Sequence, residues 1–208
     1  MQYDIQAHIQ RGFIMDLIER PIYMSELEAL RDDRDHIKIL TGVRKCGKTT
    51  LLQQFMDRLR SDGVSEKEML LLNLESYELD KIRDHTDLSA YLRELIPAKG
   101  RFYLFLDEVQ GVEGWEKSVN SLMTDTEADI YIASSDAHLF STGVATDLTG
   151  RYVEVKILPL SFKEYSELKG NGRKAEEVFA EYVETGGIAY IDPTLEKIDL
   201  WKRLGDVC

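Results

Sequence analysis

Apolar residues along the chain gather into five short runs bounded by charged or turn-forming residues: His36–Thr41, Met69–Leu74, Phe102–Leu106, Asp129–Ser134 and Tyr152–Leu158. The middle runs are nearly continuous rather than alternating, as expected of parallel strands covered on both faces. Between them the spacing turns helical. Leu51, Leu52, Phe55, Met56 and Leu59 share one face, with Gly63 as a stop, and further helices are predicted over Leu88–Ile96 and Trp115–Met123. Strands alternating with helices imply a wound α/β sheet.

The pattern differs at both ends. Residues 1–35 read as a charged helical segment, with Phe13, Ile14, Leu17 and Ile18 on one face of a helix that Pro21 ends. A second short helix carries Leu27 and Leu30 up to the first strand. Beyond Pro159, Ser161 is placed to cap a helix through Leu168, Gly170-Asn171-Gly172 is a turn, and Ala175–Thr185 is another helix. The expected organisation is an N-terminal helical segment (1–35), an α/β core (36–158) and a lid-like helical subdomain (159–208).

Composition narrows the class of function. The 208 residues suffice for one α/β domain and a small appendage. The 38 acidic residues against 26 basic ones give a net charge of −12, which opposes non-specific contact with DNA or an anionic membrane. Neither a signal peptide nor an apolar run of roughly 18 residues is apparent, so no membrane association is expected. Cys46 and Cys208 are read as free thiols of a cytoplasmic protein, because a bridge would tie a loop to a terminus. His8, His36, His85 and His138 are scattered, and no zinc site is expected.

The candidate chemistry starts after the first strand. Gly42-Val43-Arg44-Lys45-Cys46-Gly47-Lys48-Thr49 matches the pattern G-x-x-x-x-G-K-[ST], and strand, glycine loop and helix follow in the required order. Glycines let backbone N–H groups turn inward around phosphate oxygens, and the next helix adds the positive end of its dipole. Lys48 would reach the β- and γ-phosphates, Thr49 would ligate Mg²⁺, and Thr50 completes the predicted nucleotide-binding set. Phe102–Leu106 then runs into Asp107 and Glu108, an apolar strand ending in two carboxylates. At the carboxyl edge of a sheet this pair would lie beside the loop, with Asp107 on Mg²⁺ and Glu108 as the base that orients and deprotonates water.

NTPases with their own catalytic glutamate place an additional strand between the loop strand and the acidic strand, and Asp129–Ser134 is the candidate for it. Its end, Ser134-Ser135-Asp136, would then face the γ-phosphate. Charge on the transferring phosphoryl group calls for an arginine supplied in cis or by a neighbouring subunit; Arg44 and Arg151 are the candidates. The Asn-Lys-x-Asp signature of guanine readers is absent, which favours ATP.

The chain resembles a family of bacterial and archaeal AAA-type ATPases in which an N-terminal ATPase domain usually precedes a C-terminal domain of unknown function. The resemblance spans roughly residues 20–190. It rests on Arg20–Tyr23, Thr41–Thr49, Asn73-Leu74-Glu75, Leu106-Asp107-Glu108-Val109-Gln110, Gly114-Trp115-Glu116, Leu148-Thr149-Gly150-Arg151-Tyr152, Pro159–Tyr165 and Gly186-Gly187. It implies ATP and Mg²⁺ as cofactors and a protein partner or self-association.

Three departures are apparent. Ala133-Ser134-Ser135-Asp136-Ala137 stands where the family usually has Thr-Gly-Ser-Asn-Ser. Ile188-Ala189-Tyr190 follows the paired glycines where the family usually has a proline soon after. The chain ends at Cys208 where the family usually continues. The expected activity is ATP hydrolysis by a switch or motor domain. A module that binds ATP without hydrolysing it is the alternative, and a small-molecule kinase would need an acceptor site that the sequence does not offer.

Overall fold

The computed structural model describes residues 18–97, 99–136, 139, 148 and 150–188. Five apolar runs form one parallel sheet: β1 (Ile37–Thr41), β2 (Met69–Asn73), β3 (Phe102–Asp107), β4 (Ala128–Ser134) and β5 (Tyr152–Lys156), in the order β2-β3-β4-β1-β5. All residues of β1, β3 and β4 are buried, which explains why these runs lack alternation. The additional strand is β4, set between the loop strand β1 and the acidic strand β3.

Parallel pairing needs crossovers, and helices supply them on both faces. Even-numbered residues of β3, Leu104 and Leu106, pack with Leu88 and Leu92 of α3 (His85–Leu95) and Trp115, Val119 and Leu122 of α4 (Trp115–Asp125). Their odd-numbered neighbours Tyr103 and Phe105 face Leu51, Leu52, Phe55 and Leu59 of α2 (Lys48–Ser61), with Leu27 of α1 (Pro21–Ala29). Phe55 and Phe105 each lie 5.1 Å from the Tyr131 ring centre, an aromatic wedge between α2 and the sheet.

The ladder also fixes what meets at the carboxyl edge. Thr41 is level with Ser134, and Asp107 is level with both Ala133 and Asn73. The segments that leave β1, β3 and β4 therefore emerge side by side.

In the N-terminal part the predicted first helix lies mostly outside the described residues, and the predicted second helix is α1, with Pro21 at its first position. A fixed φ and a missing N–H suit that position, where the N–H has no intrahelical partner. At the other end, α5 (Phe162–Lys169) starts at Ser161, whose backbone N donates to Glu164 Oε2 (2.7 Å) while its hydroxyl accepts from Glu164 N (3.3 Å). After the turn, α6 (Ala175–Thr185) packs chiefly on α5 through Phe162, Tyr165, Phe179 and Tyr182.

One charged pair interrupts the apolar interior. Lys38, fully buried in β1, donates to Asp129 at the start of β4 and to the carbonyl of Asp33. Asp129 also accepts from Asp32 N (2.9 Å) and Tyr131 OH (3.1 Å), so the chain before β1 is stitched to β4. Burial raises the Asp129 pKa, and the nearby ammonium opposes that rise.

Asp129→Ala is expected to cost about 3–5 kcal/mol, because it strands a buried ammonium. Urea denaturation measures this, and a loss under about 1 kcal/mol, the worth of a surface pair, would show that the pair is not needed.

Candidate active site

The segment joining β1 to α2 adopts backbone angles that its glycines permit. Gly42 has φ 154°, and a Cβ there would sit 2.2 Å from the carbonyl oxygen of Ile157, so only glycine fits. Gly47, with φ 103°, precedes α2, and Lys45 between them is left-handed at φ 65°. Lys48 is 3% exposed, and its Nζ donates to the carbonyls of Gly42 (2.9 Å) and Val43 (3.2 Å), curling across the loop. Val43 and Lys45 lie between the two glycines with Cys46 buried beside them, while Thr49 and Thr50 lie in the first turn of α2. Cys46 is a free, buried thiol whose pKa burial raises, an environment that makes it inert; Cys208 lies outside the described residues.

Beside the loop, Thr49 Oγ1 donates to Asp107 Oδ2 at 2.7 Å. Asp107 is 1% exposed, and its Oδ1 is buried with no hydrogen-bond partner among the described residues. Burial raises its pKa, and the adjacent Glu108 adds to the rise while Thr49 and Lys48 oppose it. An unsatisfied buried acceptor costs about 1–3 kcal/mol, more when charged. A carboxylate and a hydroxyl side by side are oxygen donors of the kind Mg²⁺ takes, and the orphaned oxygen fits such an ion.

Glu108 adopts φ 53° and ψ 50°, a left-handed conformation that costs a non-glycine residue roughly 1–2 kcal/mol. Its Oε2 accepts from Gln110 Nε2 (2.6 Å), Ser135 Oγ (2.7 Å) and Ser135 N (3.2 Å). Ser134 Oγ donates to Gln110 Oε1 at 2.8 Å, so the amide is oriented from the end of β4. Burial pushes the Glu108 pKa up, but the Gln110 and Ser135 hydrogen bonds and Lys48 reverse this, leaving it below the usual value. Among the described residues, the hydrogen bonds to its carboxylate all fall on Oε2, leaving Oε1 as the acceptor for a further donor.

The arginines do not converge here. Arg44 pairs with Glu75 Oε2 at 2.6 Å in an exposed contact after β2. Arg151 lies at the opposite edge of the sheet: its carbonyl accepts from Ile37 N at the start of β1, and its Nη1 is 3.5 Å from Asn120 Oδ1. Five β1 residues, at about 3.3 Å each, separate that edge from the loop. An action of Arg151 on a phosphate held by its own chain is thereby excluded.

The sequence pattern alone gives Gln110 no role, although it stands two residues past Glu108. A long polar side chain in the short turn after Glu108 was the available signal.

A glycine loop between strand and helix, an oxygen-donor pair and an adjacent glutamate at the carboxyl edge of a parallel sheet define a P-loop NTPase. Residues 34–166 match the AAA domain family, and the chain belongs to it as an AAA-type ATPase domain. An uncharacterized protein of Haemophilus influenzae is 40% identical over 175 residues, covering 82% of this chain and 44% of that protein. An uncharacterized protein of Methanocaldococcus jannaschii is 35% identical over 133 residues, covering 64% of this chain and 29% of that protein. The chain therefore spans less than half the length of these relatives.

Among solved structures, the Saccharomyces cerevisiae Hsp104:casein complex shares the fold with TM-score 0.56 at 14% identity, over 92% of this chain and 37% of that one. A STAND-class signal-transduction ATPase of Pyrococcus horikoshii does so with TM-score 0.52 at 10% identity, over 92% and 32%. No helix among the described residues is long and apolar enough to cross a membrane.

Replacing Gln110 by Ala is expected to raise the Glu108 pKa, because a donor to the charged form is lost. A carbon-13 NMR titration of the glutamate carboxyls reads this; a Glu108 resonance that titrates as in the parent would show that Gln110 does not hold it.

Proposed function

We propose that this domain binds ATP with Mg²⁺ and hydrolyses it, using the cycle as a switch or motor for a protein partner or another copy of itself. The observation that carries the reading is the orphaned Asp107 Oδ1, buried beside Thr49 and next to Glu108. Backbone N–H groups of residues 42–49 would receive the phosphates, and Lys48 would exchange its two carbonyl contacts for phosphate oxygens. Thr49 and Asp107 would hold Mg²⁺, which when bound neutralises charge on the β- and γ-phosphate oxygens. Glu108 would accept the proton of the attacking water on Oε1. Residues 159–208 would act as a lid-like subdomain.

A module that binds ATP without hydrolysing it is the second reading. It is favoured by the Gln110 and Ser135 contacts that tie down the Glu108 carboxylate. Turnover by the parent chain, measured with Mg²⁺ and with EDTA, separates the two. Mg²⁺-dependent turnover supports hydrolysis, and ATP binding without turnover supports the module.

Lys48→Ala is expected to lose most ATP affinity in a titration with a fluorescent ATP analogue, since it removes charge-assisted contacts. Undiminished affinity would remove the loop from the phosphate site. Glu108→Gln keeps the shape and removes the base; turnover should fall by about 10²–10⁴-fold while ATP affinity holds or rises. Parental turnover in this variant would end the base assignment.

Because Arg151 is remote from its own loop, its proposed role is to act on a neighbouring copy. Arg151→Ala and Glu108→Gln chains should each be slow alone and recover turnover when mixed, since a mixed pair regains one complete site. No recovery on mixing, or an Arg151→Ala chain as fast as the parent, would remove the role.

A further inference from the structure

Arg20 is 6% exposed and spreads its donors over three parts of the molecule. Its Nη1 donates to the Cys46 carbonyl in the loop (3.3 Å), Nη2 to the carbonyls of Leu158 (3.0 Å) and Pro159 (3.5 Å), and Nε to Glu164 Oε1 on α5 (2.9 Å). The guanidinium lies 4.4 Å from the ring centre of Tyr23, and the Tyr23 hydroxyl accepts from Leu158 N at 3.1 Å. One turn at the start of α1 thus grips both the N–H and the C=O of Leu158, in the connection from β5 to α5.

The helical pair is fastened at the same place. Leu160 N donates to the Gly187 carbonyl just past α6 (3.1 Å), and a Cβ on Gly187, which has φ 76°, would sit 2.3 Å from the Leu160 oxygen. The start of α5 and the end of α6 therefore converge on the segment that Arg20 holds.

The contact with Cys46 has a further property. None of the described peptide bonds is cis, so the Cys46 carbonyl and the Gly47 N–H point in opposite directions from one planar unit. Arg20 occupies the carbonyl side; the N–H side belongs to the phosphate loop. Hydrogen bonds at the two ends of a peptide polarise each other. A guanidinium on the oxygen makes the N–H a better donor, and an anion on the N–H makes the oxygen a better acceptor. Such coupling is reciprocal by thermodynamic necessity.

We propose that Arg20 is a positioning residue that couples phosphate binding in loop 42–49 to the placement of α5 and α6, acting through the Cys46–Gly47 peptide. The proposal rests on the ATP-binding reading above.

Hydrogen–deuterium exchange over residues 158–187, with and without ADP and Mg²⁺, tests it on the full chain, alongside nucleotide titration. In the parent, nucleotide is expected to slow exchange in that segment. Arg20→Ala should bind ADP about 5–150-fold more weakly, the usual range of such couplings, and at saturating ADP should show no slowing there.

Arg20→Lys keeps the charge and the apolar stem without the planar fork, and it carries the test if the alanine variant does not fold. It should lose affinity and slowing in the same direction. An Arg20→Lys chain with parental affinity and parental slowing overturns the proposal. So does a parent that binds ADP without any response in 158–187, although the ATP-binding reading would then stand. A parent that does not bind nucleotide ends both.

Discussion

The parallel hydrogen-bond ladder joining β1, β4 and β3 is the constraint on which the rest of the molecule depends. In a parallel sheet all strands end at one edge, and the observed register sets Thr41, Ser134 and Asp107 at nearly the same height. The loop, the serine pair and the acidic pair thereby become neighbours although they are far apart in sequence. Because β1, β3 and β4 are buried throughout, a register slip would exchange the two apolar faces and separate the polar groups at the edge.

Across the sheet the buried polar groups fall into two kinds. One kind is saturated: Lys38 and Asp129 at the opposite edge have their partners among neighbouring side chains and backbone, and they stitch the chain before β1 to β4. The other is left incomplete. Asp107 keeps one oxygen without a partner among the described residues, and burial raises its pKa. A network of the first kind specifies a fold; an incomplete buried carboxylate stores a cost that a bound cation would relieve. The left-handed backbone at Glu108 fits the same division, because local strain is tolerated where surrounding contacts hold it, here Gln110 and Ser135.

Arg20 extends this edge toward the helical pair. A buried guanidinium with donors on the loop, on the β5–α5 connection and on Glu164 is costly to leave unpaired if any of those acceptors moves away. Movement of any one part is therefore felt by the others.

By itself the sequence determined the strand–helix alternation, the five strands to within a residue or two at most ends, and the insertion of the fourth strand between first and third. Burial on both faces produces continuous apolar runs, and 3.6-residue spacing marks the helices between them. The phosphate-loop pattern and the Asp107-Glu108 pair were legible as well, because each places its chemistry within a few consecutive residues. Ser161 as a helix cap was legible for the same local reason. That Pro21 opens α1 was not legible, because proline both ends helices and begins them, and only the surrounding chain distinguishes the two. Tertiary structure alone decided that Gln110 and Ser135 share one carboxylate, that Arg44 turns to Glu75 and that Arg151 sits at the far edge. It alone decided that Arg20 reaches Cys46, Leu158 and Glu164. The destination of a long polar side chain depends on which acceptors the sheet register brings within reach, and that register is a property of the assembled ladder rather than of any local stretch of sequence.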